Sequence, residues 1–189
     1  MPLFSTLPRV VCFMALLELC ACVVVPIPIK VETKAHVVGV VYPTYPNPGP
    51  APVSAKCASP ARESATQAEV LALINAQRRA AGLSALRASP KLSHIAHAHA
   101  CDNAARGGYS HIGSDGSDLG ARLRRGGYKL SVAAENTGWG FDTAAKAVAF
   151  WMGSPHHREN ILLSNVTEIG VGLADGARPA WVINFAKPR

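Results

Sequence analysis

The chain reads as a helical stretch followed by a pair of strands. Val70, Leu71, Leu73, Ile74 and Gln77 recur at helical spacing behind Thr66-Gln67-Ala68-Glu69, a capping-box signature. Gly82 stops the pattern, so a helix is predicted over about residues 67–80. Ser89-Pro90 starts a second, with proline at the first helical position. Leu92, Ile95, Ala96, His99 and Asn103 share its inner stripe, and Gly107-Gly108 ends it. Asp118 to Arg125 reads as a short third helix stopped by Gly126-Gly127. Thr143 to Met152 reads as a fourth, with Val148 and Trp151 inward, and Ser154-Pro155 restarts a turn of helix. The period then changes. Residues 168–173 and 180–185 read as strands, and Asp175-Gly176-Ala177-Arg178-Pro179 supplies the turn of a hairpin. Helices first and strands last predict an α+β layered domain rather than a parallel βαβ sheet.

The region before residue 64 follows other rules. Eight of the fourteen prolines fall between Pro26 and Pro60. Proline lacks an N–H and restricts the residue before it, so a semi-extended tether is expected. Val10 to Leu17 is an apolar run too short to span a bilayer, which fits the core of a signal peptide. Leu19-Cys20-Ala21-Cys22 behind it resembles a lipobox, with cleavage after residue 21 and lipid attached at Cys22. Glu18 and a single basic residue, Arg9, depart from that pattern. Simple secretion and an uncleaved anchor from about Val10 to Ile29 are the other readings, the anchor at the cost of placing Glu18 in hydrocarbon. All three send the rest of the chain out of the cytoplasm. The resulting division is 1–21 signal, 22–63 proline-rich linker and 64–189 folded domain.

Composition sharpens this. The chain is 49% hydrophobic and 16% charged, against roughly 25% charged in ordinary soluble domains. The signal segment and the sparsely charged tether account for part of that gap. The net charge of +7 favours anionic partners. Export redirects it from nucleic acid, which is not expected as a partner, to an envelope surface. The five cysteines form no C-x-x-C pair, which argues against a zinc ribbon. Once the signal is removed and Cys22 carries lipid, Cys57 and Cys101 remain. In an oxidising compartment they are the natural disulfide.

Several segments then arrive in a telling order: Leu73 to Arg78 with Gly82-Leu83; Ala96-His97-Ala98-His99-Ala100; Ser110-His111 with Asp115-Gly116-Ser117; Ala134-Glu135-Asn136; Trp151 to Leu162; and Glu168 to Gly172. Together they resemble the bacterial branch of the CAP superfamily of cysteine-rich secretory proteins, antigen 5 and pathogenesis-related 1 proteins, whose domain is called the SCP domain. The resemblance runs from about Gln67 to Pro188. It implies an α-β-α sandwich with a small antiparallel sheet between helices, and a cavity lined in eukaryotic members by two His and two Glu. By motif, His111 matches the first His, Glu135 the Glu of the Glu-Asn pair, and His157 the second His. The fourth position departs, because Ser154 stands three residues after Trp151 where a Glu is usual. Glu168 is the nearby carboxylate that bacterial members tend to carry.

Imidazoles and carboxylates of this kind are ordinary zinc ligands, so a divalent metal (Zn) is conceivable although none is required. They equally make a hydrogen-bonded network that pins loops together. His94, His97 and Cys101 share one helix face, read as half-exposed because no carboxylate is evident to complete a second metal site. Arg78-Arg79 and Arg122, Arg124, Arg125 read as solvated faces, and the three tryptophans as packing. The favoured function is an exported, envelope-tethered CAP/SCP domain. It is expected as a monomer, binding a ligand or envelope component through its His/Glu cavity with no established catalysis. The alternative is a metal-dependent hydrolase using the same residues. Lipid or sterol binding comes after it, since no long apolar insertion is present.

Overall fold

The computed structural model describes residues 57–189. The signal segment 1–21, Cys22 and the tether up to residue 56 lie outside the described residues. The elements run α1 (Glu63–Ala80), β1 (Arg87–Ala88), α2 (Pro90–Ala105), α3 (Leu119–Arg125), β2 (Leu130–Trp139), α4 (Ala144–Gly153), α5 (Pro155–Ile161), β3 (Glu168–Ala174) and β4 (Ala180–Pro188). The sheet order is β1-β3-β4-β2. β4 pairs antiparallel with both β2 and β3, and only the two-residue β1 runs parallel to its neighbour β3.

The sheet is covered on both faces, as the α+β sandwich expectation requires. On one face Val70 and Ile74 of α1, Val148 and Trp151 of α4 and Ile161 of α5 meet Val132, Val171, Trp181, Ile183 and Phe185 of the sheet. On the other, Leu92 and Ile95 of α2 and Leu119 and Leu123 of α3 meet Leu130, Ala133 and Ala186. Ala96 and Ala100 of α2 continue that layer over Ala174, Ala180 and Val182.

α2 lies unusually close to β3, and two glycines are the reason. A Cβ on Gly170 would overlap the Leu92–Ser93 backbone, and one on Gly172 would overlap the backbone at Ala96–His97. With no side chain at either position, the helix backbone rests directly on the strand. That seating decides where the polar side chains of α2 end up.

Local chemistry explains the helix starts. The side chain of Asp118 accepts from the Ala121 N–H at 2.7 Å, and that of Thr143 from the Lys146 N–H at 3.2 Å, each satisfying a donor with no intrahelical partner. α1 departs from expectation. It begins at Glu63, a turn before the capping box, and Thr66 is buried inside it. The Glu63 carboxylate accepts from the Leu173 N–H at 3.2 Å and contacts His97 at 3.1 Å, so tertiary bonds outweigh the local cap.

β2 was not foreseen as a strand. Both of its faces are buried although it lies at the sheet edge, and it carries Glu135-Asn136-Thr137 in its centre. Arg78 corrects the solvated-face expectation. It is 1% exposed, and its guanidinium donates to the carbonyls of Ser84, Ile161 and Leu163 at 2.8–2.9 Å, tying the end of α1 to the end of α5. Cys57 and Cys101 form the disulfide, with Cα atoms 5.7 Å apart, and a cross-link across 44 residues stabilises by about 2–4 kcal/mol.

Gly172→Ala is expected to destabilise the domain by about 1–3 kcal/mol, because α2 must lift off β3 to make room. The measurement is a urea midpoint at unchanged slope. A midpoint equal to that of the parent chain would show that the close approach constrains nothing.

Candidate functional site

Glu135 sits in the middle of β2 with no exposure to solvent. Arg122 Nη2 donates to its Oε2 at 2.7 Å, and His111 Nδ1 lies 2.9 Å from its Oε1. His99 Nε2 is 3.9 Å from the same Oε1. Three segments supply these partners. His99 comes from α2, His111 from the loop after it, and Arg122 from α3, whose start is fixed by Asp118. The loop is held by the same groups. His99 Nε2 donates to the Ser110 carbonyl at 2.7 Å, and Arg122 Nη1 donates to the carbonyls of His111 and Ser117 at 3.0 and 2.8 Å.

Burial alone would raise the Glu135 carboxyl. The Arg122 guanidinium, then His99 and the His111 hydrogen bond, more than reverse that and bring it down to about 2. Glu135 is therefore a carboxylate at neutral pH and can only accept. His111 must then donate through Nδ1, and its ring is 28% exposed. His99 is pushed down by its burial, so it remains neutral inside the cluster.

His157 reaches the neighbourhood from α5. Asn160 Nδ2 donates to the Glu135 carbonyl at 3.1 Å and to Asn136 Oδ1 at 2.9 Å, while Asn136 Nδ2 donates to the His157 carbonyl at 3.0 Å. These bonds fasten α5 to β2. The His157 ring is half-buried, with its centroid 5.8 Å from that of Phe150, and its Nδ1 has no hydrogen-bond partner among the described residues. Partial burial, then the charges of His111 and His156, push its pKa down, so the two histidines lie within each other's field.

The four sequence-derived positions are not all brought together. His111 and Glu135 are hydrogen-bonded, and His157 stands near them. Glu168 lies elsewhere, accepting from the Tyr128 hydroxyl at 2.7 Å and pairing with Arg87 at 3.4 Å. Both Glu135 oxygens are engaged by protein donors, and the carboxylate serves to orient His111. The ligating atoms of His111, Glu135 and His157 do not converge as a metal group would. Among the described residues the His/Cys/Asp/Glu group whose ligand atoms do converge is Cys57, His97 and Cys101, with the two sulfurs joined in the disulfide.

Sequence reasoning missed Arg122 and His99 as site residues. Arg122 is 6% exposed rather than solvated. The available signal was its position on the stripe of Leu119 and Leu123 at helical spacing, and His99 likewise lay on the predicted inner stripe of α2. Both also line a cavity of about 250 Å³ between α2, the 113–117 loop and α3, shared with Asp102, Asp115 and Arg125.

The cysteine-rich secretory protein family (CAP) model matches residues 71–185, and the chain belongs to that family. It is 32% identical over 127 residues, 67% of its length, to the uncharacterized protein YkwD of Bacillus subtilis, and 28% identical over 125 residues, 66% of its length, to the uncharacterized membrane protein YlbC of the same organism. The chain spans about half of the first and about a third of the second, at 49% and 35%. Among solved structures it is similar in fold to an extracellular protein containing an SCP domain from Bacillus anthracis, with a TM-score of 0.63 at 24% identity, covering 70% of this chain and 45% of that one. An outer surface protein of Borrelia burgdorferi gives a TM-score of 0.58 at 19% identity, covering 65% and 92%.

The pH dependence of stability follows from Glu135. Its folded pKa of about 2 lies below the ordinary 4.5, so its contribution is complete above about pH 4.5 and is lost as pH falls towards 2. Glu135→Gln is expected to flatten that acid limb. At pH 7 it should lower stability by about 3–5 kcal/mol, because Arg122 loses its counter-charge in the interior. Urea titrations at pH 7, 5 and 3 test both parts, and parallel curves for the two proteins would refute the assignment.

Proposed function

We propose that the chain is an exported, envelope-tethered domain that binds a ligand or an envelope component on the face carrying His111 and His157. The observation that carries this is where the exposed apolar side chains fall. Among the described residues, the large apolar side chains left exposed are Tyr109, Ile112 and Phe150. Tyr109 and Ile112 bracket His111 along the chain, and Phe150 packs beside the His157 ring. Single exposed apolar residues need no explanation, but a set gathered around polar groups marks an interaction surface.

Trp139 extends the face. The Tyr109 ring meets it edge-on at 5.8 Å, and the Arg178 guanidinium lies 4.8 Å from its centroid. The His111 ring, held through Nδ1 by Glu135, adds a polar group beside these apolar side chains. Export is supported by the signal-like segment, and by the extracellular and outer-surface descriptions of the structurally similar proteins. Lipid at Cys22 and the linker 22–63 would hold the domain at the membrane. Among the described residues no helix is long and apolar enough to cross a membrane.

Co-sedimentation of the full chain with purified peptidoglycan sacculi tests the binding surface. Replacing Ile112 and Phe150 together by Ser is expected to weaken retention roughly 100–200-fold, the equivalent of two apolar side chains at about 1.5 kcal/mol each. Equal retention by the two proteins would remove this face from the binding role. For the tether, Cys22→Ser is expected to abolish incorporation of labelled fatty acid in cells. Incorporation that survives the substitution would assign the anchor elsewhere.

A further inference from the structure

The second polar centre of α2 lies around His97, beside the Cys57–Cys101 disulfide, and the His111 face makes no use of it. His97 Nε2 is 3.4 Å from Cys101 Sγ and 4.0 Å from Cys57 Sγ. On the opposite side of the ring, Nδ1 lies 2.8 Å from the Leu173 carbonyl and 3.1 Å from Glu63 Oε1. Both of those neighbours are acceptors, so Nδ1 donates to them, while Nε2 faces the two sulfurs and the Cys57 carbonyl, 3.3 Å away. Glu63 is itself held in place by the Leu173 N–H. A carboxylate and a carbonyl fixing the tautomer of a histidine from behind is the support that zinc-ligating histidines receive.

We propose that reduction of the Cys57–Cys101 disulfide converts this cross-link into a zinc site. Cys57 Sγ, Cys101 Sγ and His97 Nε2 are its protein ligands, and water is the fourth. All three ligating atoms already lie within 4.8 Å of one another. Tetrahedral zinc with bonds of about 2.3 Å to sulfur and about 2.0 Å to nitrogen sets ligand atoms roughly 3.5–3.8 Å apart. The histidine–sulfur distances span that value now, so only the two sulfurs must separate. Cys57 is half-buried and precedes α1, which gives a reductant a way in.

The chemistry balances with a dithiol as reductant. Its two thiols are oxidised to a disulfide as their two electrons and two protons pass to Cys57 and Cys101. Zinc then displaces both cysteine protons to solvent as it takes the thiolates. The chain ahead of α1 thus stays fastened to α2 in either redox state, by a covalent bond or through a metal. This inference does not depend on the His111 face.

The test uses the full chain with Cys12, Cys20 and Cys22 replaced by Ser, so that only the two cysteines of interest remain. Cobalt(II) is the optical probe and zinc is measured by competition with a chromophoric chelator. After reduction with a phosphine, one equivalent of cobalt should give thiolate-to-metal charge-transfer absorption and the visible bands of a tetrahedral ion. The oxidised protein should give neither. Glu63→Gln, which keeps the ligands and alters only their support, should weaken zinc about 10–100-fold. His97→Ala should weaken it further. The proposal is overturned if the reduced protein shows no thiolate–cobalt band, whether folded or unfolded by circular dichroism. Binding unchanged in His97→Ala, or binding lost instead in His111→Ala, overturns it equally.

Discussion

A carboxylate without access to water sits in the centre of β2, and one side of the sheet is arranged around keeping it charged. Moving an ion of this kind out of water costs several kcal/mol, which only close opposite charge and hydrogen bonding can offset. Arg122 answers that demand at 2.7 Å, and because Arg122 is itself buried it spends its other donors on the His111 and Ser117 carbonyls. The position of α3, the path of the loop before it and the orientation of His111 all follow from one buried charge.

The same constraint explains what was legible in the residues and what was not. Helices α2 to α5 and the β3–β4 hairpin were legible because their signals are local: Asp118, Thr143, the Ser-Pro starts and the 175–179 turn each act within a few positions. β2 was hidden because its middle is Glu135-Asn136-Thr137, polar residues that a strand pattern rejects and that only a set of distant partners can satisfy. Arg78 and Arg122 were misplaced on the surface for a related reason, since the carbonyls and the carboxylate that receive them lie far away in the chain. The motifs pointed to His111, Glu135 and His157, and His111 is hydrogen-bonded to Glu135. They could not distinguish a ligand from a support, because that depends on which carboxylate oxygens the fold has already used. Glu168 shows the limit from the other side, being claimed by Tyr128 and Arg87 across the sheet.

α2 joins the two polar centres. His97 and His99 are two residues apart, which on a helix directs them to different sides. His99 enters the Glu135 cluster, and His97 stands between the Cys57–Cys101 bridge and Glu63. Neither position would hold if the helix stood at ordinary distance from the sheet, and Gly170 and Gly172 remove that distance. On the face read as half-exposed, His94 is exposed, His97 half-buried and Cys101 buried, and the carboxylate missing from it is supplied by the early start of α1 at Glu63.

Charge alone then gives a misleading picture of the surface. Of the 19 Lys+Arg, Arg78 and Arg122 are interior, one spent on carbonyls and the other neutralised by Glu135. Arg125 pairs with Asp115 at 3.0 Å and Arg106 with Asp102 at 3.0 Å, so further basic groups meet an anionic partner within the fold. The positive charge left for an anionic surface is more scattered than a net +7 implies, and salt screens such diffuse attraction readily. The proposed binding role would then draw on contacts that salt does not weaken. The apolar rim of Tyr109, Ile112 and Phe150 around an oriented imidazole is the part of the described surface that offers them.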